Sequence, residues 1–182
     1  MNEININTEY LFDGDLDSPY LNTNYEPSNY KRDLKNIREL IVHCTATDSI
    51  AYENPESLIR YDTHSNHISR KGCPFARYHF YITKSGNIYQ LVDMHYYCWH
   101  TKGHNQYSVA VCINHSGVKN NVTKEQYESV LRCIVYLFEL FNWEISEENL
   151  RSKLHFHRDY ANKLCPGRID KLQMIEDILN EN

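Results

Sequence analysis

The sequence predicts a single α/β domain, with a central mixed β-sheet flanked by helices. Three observations carry that expectation. Two short apolar runs, Leu40-Ile41-Val42 and Val109-Ala110-Val111, read as buried strands. An aromatic stretch, the turn Lys84-Ser85-Gly86-Asn87 and a further apolar run read together as a hairpin. Amphipathic stretches with their own start signals lie among these strands, so helices pack on a sheet. A chain of 182 residues fits one domain that buries a core without staples.

Residues 1–36 stand apart. They are dense in Asn, Asp and Tyr, and Gly14, Pro19 and Pro27 break any period, so an extension with little regular structure is expected. Its tyrosines (10, 20, 25 and 30) offer rings for packing onto the body. The domain proper is expected over residues 37–182. Ile37 to His43 reads as a strand that ends at the histidine. Asn54-Pro55-Glu56 is a helix start, an Asn cap followed by Pro at the first helical position, and the helix should run to about Ser65. Arg77 to Thr83 and Ile88 to Val92 form the hairpin, and Tyr107 to Ile113 the next strand.

Thr123-Lys124-Glu125-Gln126 has the form of a capping box. It opens the strongest helix, with Tyr127, Val130, Leu131, Ile134, Leu137, Phe138 and Phe141 on one face. A short strand near Lys153 to His157, a loop around Cys165, and a helix from about Asp170 with Leu172, Ile175, Ile178 and Leu179 inward complete the pattern. No internal repeat is visible.

Apolar content of 41% and charged content of 24% are ordinary for a globular protein. A net charge of -5 with no basic stripe argues against nucleic acid as a partner, and against electrostatic attachment to anionic membranes or wall polymers. There is no apolar run of the ~18 residues that membrane insertion needs. Met1-Asn2-Glu3-Ile4-Asn5 lacks a basic region followed by an apolar stretch, so cytoplasmic synthesis without a secretory signal is expected. A monomer is the default. Six cysteines do not imply disulfides in a chain this long, and Cys44, Cys112 and Cys133 sit in apolar segments as core residues.

The chemistry concentrates in His43, at a strand end, and in the segment from His155 to Cys165. Two imidazoles and a thiolate are the ligands of a catalytic zinc that keeps one position open. His155 and His157 alternate with Leu154 and Phe156, so both face one side of a strand, and spacing alone does not choose between them. Cys165, followed by Pro166-Gly167, lies in a loop and suits either a metal ligand or a nucleophile with His157 as base. Lys163 places a positive charge where an oxyanion would develop. His64 and His67 read as a solvated helix end and His79 as structural. His95, His104 and His115 carry no motif.

Taken in order, these residues resemble the zinc-dependent N-acetylmuramoyl-L-alanine amidases of the phage T7 lysozyme type, whose fold is shared by animal peptidoglycan recognition proteins. Four segments carry the resemblance. The first is Ile41-Val42-His43-Cys44-Thr45-Ala46-Thr47 and the second Arg77-Tyr78-His79-Phe80-Tyr81-Ile82. The third is His100-Thr101-Lys102-Gly103-His104-Asn105, running into Ser108-Val109-Ala110-Val111. The fourth runs from His157 through Lys163 to Cys165-Pro166.

The resemblance implies that His43, His157 and Cys165 hold one zinc ion, that Tyr78 and Lys163 are catalytic, and that His100 contacts substrate at the cleft rim. It implies hydrolysis of the amide between N-acetylmuramic acid and L-alanine in bacterial peptidoglycan, by a phage-type endolysin that reaches the wall after holin-type release. Cysteine as third ligand separates this chain from the cytosolic recycling amidases, which carry aspartate there. The chain departs from the pattern in residues 1–36 and in Tyr160-Ala161-Asn162, which replaces a proline-containing stretch. The alternatives are a muropeptide-binding module without activity and a cysteine peptidase using Cys165 and His157. A polymerase-regulating role, known for the T7-type enzyme, is not readable here. Lys102 and Arg77 are candidates to read a diaminopimelate carboxylate.

Overall fold

The central strands form because their residues are apolar on both sides. In the computed structural model, which describes residues 4–118 and 122–181, every residue of β2 (Glu39–Cys44) and β5 (Ser108–Ile113) is buried. The two pair in parallel, Leu40 opposite Val109 and His43 opposite Cys112. A parallel pair covered on both faces reads as a continuous apolar run rather than as an alternation. With β1 (Ile6–Asn7), β3 (Phe80–Ile82), β4 (Ile88–Gln90) and β6 (Leu154–Phe156), they make a six-stranded sheet in the order β1-β4-β3-β5-β2-β6. Only the hairpin pair β3–β4 is antiparallel, so the sheet is mixed as expected.

Each face carries its own core. Leu40, Val42, Val109, Val111 and Ile113 pack with α2 (Lys124–Leu140) and α4 (Lys171–Glu181). Ala110, Cys112 and Tyr81 point the other way, toward α1 (Pro55–Thr63) and a bed of aromatic rings. His43 follows Val42 and so projects from this second face, with Cys112 beside it.

The strands are shorter than the sequence suggests. Arg77 lies outside β3 because its N–H donates to the Asp62 carboxylate rather than to a neighbouring strand. Helix α1 starts as read, with the Asn54 side chain accepting from Glu56 N–H, and ends at Thr63. The box before α2 is half formed. Thr123 accepts from Gln126 N–H, but the Gln126 side chain is buried and donates to the carbonyls of Ile82 and Asn114, tying the helix to the strand ends.

Helix α3 (Glu147–Lys153), capped by Ser146, has no counterpart among the sequence expectations. In α4, Met174, Ile175 and Ile178 form the buried stripe and Leu172 is 50% exposed. At about 100° per residue Leu172 lies well off that stripe.

The N-terminal segment, whose first three residues lie outside the described residues, contributes the edge strand β1 and two 3-10 turns, Pro27–Tyr30 and Leu34–Asn36. Phe12 is fully buried, stacked on Phe75 at 4.9 Å and edge-on to Tyr96 at 5.2 Å. Tyr10, Tyr25 and Tyr30 pack on Tyr89, Trp99 and Phe75. Among the described residues, no helix is long and apolar enough to cross a membrane.

Candidate metal centre

Three elements meet at the end of β2. His43 is its penultimate residue, His157 opens the turn that follows the neighbouring β6, and Cys165 comes from the loop beyond. The donor atoms of His43, His157 and Cys165 all lie within 4.8 Å of one another. His43 Nδ1 is 3.8 Å from Cys165 Sγ, and the His43 and His157 rings are 4.6 Å apart. Zn–N bonds of about 2.0–2.1 Å and Zn–S bonds of about 2.3 Å put tetrahedral ligand atoms roughly 3.3–3.8 Å apart, so the donor set fits zinc.

The Cys165 loop is held from below. Arg158 N–H donates to Cys165 O at 2.8 Å, and the Arg158 guanidinium bonds the carbonyls of Gly167 and Ile169. Gly167 and Gly117 approach so closely that a Cβ on Gly167 would collide with Gly117.

The protonation of His43 can be traced through its neighbours. Ser108 Oγ–H donates to His104 O at 2.7 Å, so the same oxygen accepts from His100 Nε2–H at 3.1 Å. A neutral imidazole carries one N–H. His100 Nδ1 is therefore an acceptor, and it accepts a hydrogen bond from His43 Nε2–H at 3.1 Å. His43 Nδ1 is left bare, facing Cys165. Burial lowers the pKa of both His43 and His100 well below the usual imidazole value, which keeps both rings neutral. Such outer partners fix the tautomer that a metal ligand needs.

His100 thus lies behind His43 and is 8% exposed, where the sequence reading put it on the cleft rim. Ser108 and Thr101, which lies 3.1 Å from His100 Nδ1, fall in the third segment of the resemblance but were given no role there. Their link to His43 is spatial and leaves no local signal.

Tyr78 is brought close, with its ring 5.2 Å from that of His43. It shares a buried cluster with Cys112. Burial raises the phenol well above its ordinary pKa, so at neutral pH Tyr78 is a proton holder and donor rather than a base. Lys163 is exposed, and its charge helps to lower the pKa values of His43 and His157. Cys165 Sγ accepts from Cys44 N–H at 3.2 Å. Contact with the Cys44 thiol, then burial, pushes the Cys165 thiol up in the absence of a cation. All six cysteines are free.

The remaining histidines serve elsewhere. His155 faces Tyr160 and the buried Glu39, not the cluster, since the strand ends before His157 and the alternation with it. His79 is buried and accepts from Ala110 N–H at 3.0 Å. His64 and His67 stack on each other at 4.5 Å on the surface.

A model of the N-acetylmuramoyl-L-alanine amidase family matches residues 33–168, most of the chain and every residue of the cluster. The chain belongs to this family. Solved structures with the same fold include the N-acetylmuramoyl-L-alanine amidase LysC from Clostridium intestinale URNW. That structure has a TM-score of 0.65 and 20% identity, covering 95% of this chain and 99% of that one. The Ph2119 endolysin of a Thermus scotoductus MAT2119 bacteriophage matches with a TM-score of 0.65 at 16% identity, over 92% and 97% of the two chains. Drosophila PGRP-LB matches with a TM-score of 0.57 at 18% identity, over 72% and 75%. No curated protein matches the sequence. At these identities the structures show a shared fold, the one the sequence resemblance implied, and the family match places this amidase in its enzyme class.

Proposed function

We propose that this amidase cleaves the amide between N-acetylmuramic acid and L-alanine in peptidoglycan, using one zinc ion held by His43, His157 and Cys165. The observation that carries the reading is the convergence of two neutral imidazoles and one thiol at the end of β2, in a chain of this family. Bound there, zinc would supply a Lewis acid for the scissile carbonyl and make a water acidic enough, with a pKa lowered toward ~7, to attack at neutral pH.

The chain's own residues do the rest. Lys163 sets a positive charge against the carbonyl oxygen as negative charge develops on it. Tyr78, kept protonated by burial, donates a hydrogen bond to the attacking water or to the departing amine. His100 acts through His43, holding it in the tautomer whose Nδ1 is free. Action as a monomer on the wall of a host cell, after holin-type release, belongs to the same reading.

Mass spectrometry of the soluble products from purified sacculi tests this directly. The expected result is stem peptides with a free N-terminal L-alanine, lost with EDTA and restored by zinc. Activity that survives EDTA but not iodoacetamide would favour a cysteine peptidase, and bound zinc with no products a muropeptide-binding module.

Two variants separate the roles. Lys163→Ala lowers kcat by about 10²–10³, the usual cost of one oxyanion contact. It leaves zinc content unchanged. His100→Ala weakens zinc binding by about 10- to 100-fold, as loss of an outer partner does. Competition with a chromogenic chelator reads that change. A His100→Ala protein with unaltered zinc affinity and a raised KM would return His100 to substrate contact.

A further inference from the structure

A cavity of about 500 Å³ opens beside the metal centre, lined by Thr45, Thr47, Tyr52, Tyr61, Ile68 and Arg77. It begins two residues after His43, so a substrate cut at the cluster can continue into it. Its walls mix the hydroxyls of Thr45, Thr47 and Ser49 with the rings of Tyr52 and Tyr61, and its one charged lining group is Arg77.

Arg77 is built in. Its Nε donates to Asp62 Oδ1 at 2.7 Å and its backbone N–H to Asp62 Oδ2 at 2.9 Å, and Asp62 is wholly buried. Both carboxylate oxygens of Asp62 are thereby satisfied. The Nη1 and Nη2 groups make no hydrogen bond among the described residues, and the side chain is 21% exposed. A planar fork of N–H donors, fixed at its root and free at its tip, matches the two oxygens of a carboxylate.

Position selects which carboxylate. The Arg77 guanidinium carbon and the His43 ring each lie 5.2 Å from the Tyr78 ring, on which Arg77 packs. An extended peptide advances about 3.3–3.6 Å per residue. The first few residues of the stem are therefore within reach of Arg77 when the scissile amide is at the cluster, and the second is the first of them to carry a carboxylate outside the amide chain. In a peptidoglycan stem that residue is D-isoglutamate, whose α-carboxylate is either free or amidated.

We propose that Arg77, anchored by Asp62, is the subsite for the free α-carboxylate of the second stem residue, so that the enzyme discriminates against amidated stems. This rests on the amidase reading above. The test compares zinc-loaded protein on muramoyl-L-alanyl-D-isoglutamyl-L-lysine and on its D-isoglutaminyl counterpart. The wild type is expected to favour the free acid by about 10- to 100-fold in kcat/KM, the size of a hydrogen bond to a charged group, expressed in KM.

Arg77→Lys keeps a cation for Asp62 but lacks the fork, and brings the two substrates close to parity. Arg77→Met combined with Asp62→Asn removes both charges and abolishes the preference. If melting curves show that pair unfolded, Arg77→Lys decides alone. Equal use of both substrates by the wild type, or a preference that survives Arg77→Lys, overturns the proposal. So does an Arg77-dependent preference that follows diaminopimelate at the third residue instead. If the wild type cleaves neither, the amidase reading fails, and calorimetric binding of the two peptides to the same protein decides the subsite independently.

Discussion

Cys165→Ser is expected to release no stem peptide from sacculi and to retain little zinc after dialysis. Sγ of Cys165 is the one sulfur among the three donors of the cluster and lies 3.8 Å from His43 Nδ1. A serine hydroxyl is a shorter, neutral and harder ligand, and zinc sites of this kind depend on thiolate charge. The loss should exceed the about 10- to 100-fold cost of removing an outer partner such as His100. Zinc content by atomic absorption, set beside product release, reads both effects. Full activity in a zinc-depleted Cys165→Ser protein would remove the metal from the mechanism.

Phe12→Ala is expected to destabilise the protein by about 3–5 kcal/mol, the range for emptying a fully buried aromatic site. For a chain of this length that is a fall of roughly 6–20 °C in Tm. Phe12 is 0% exposed, bridges to Val92 and stacks on Phe75, so its ring fills space that no other side chain can enter. Thermal unfolding followed by circular dichroism measures the shift. A change below about 2 °C, the scale of under one kcal/mol here, would mean that residues 4–36 are a loose appendage.

How much of this was legible in the sequence follows from what kind of contact each feature makes. β2 and β5 were readable because burial on both faces leaves unbroken apolar runs. Helix α2 was readable because one long stripe repeats along it. Helix α3 was not, since Leu150 is its one buried residue and a lone apolar position has no period. The order in the N-terminal segment was half visible, since its tyrosines offered rings for packing but a contact such as Tyr25 on Trp99 leaves no backbone pattern that names the partner. At the site, residue types pointed to His43, to Cys165 and to either His155 or His157, and the family resemblance chose His157. Their supports were invisible. His100 reaches His43 across 57 residues, and Asp62 reaches Arg77 from α1 into a loop. Gln126 illustrates the same limit. Its place in a cap motif predicted a local bond, and two buried strand-end carbonyls took its amide instead.

The two ends of this centre belong to distant parts of the chain. His43 stands at the close of the second strand and Cys165 122 residues later, in the loop that leads into the last helix. One cation gripping both would act as a removable clasp around most of the domain. Closing so long a loop takes more freedom from the unfolded chain than from the folded one. Metal supply would then set the lifetime of the fold as well as its chemistry, because whatever binds only the native state stabilises it by mass action.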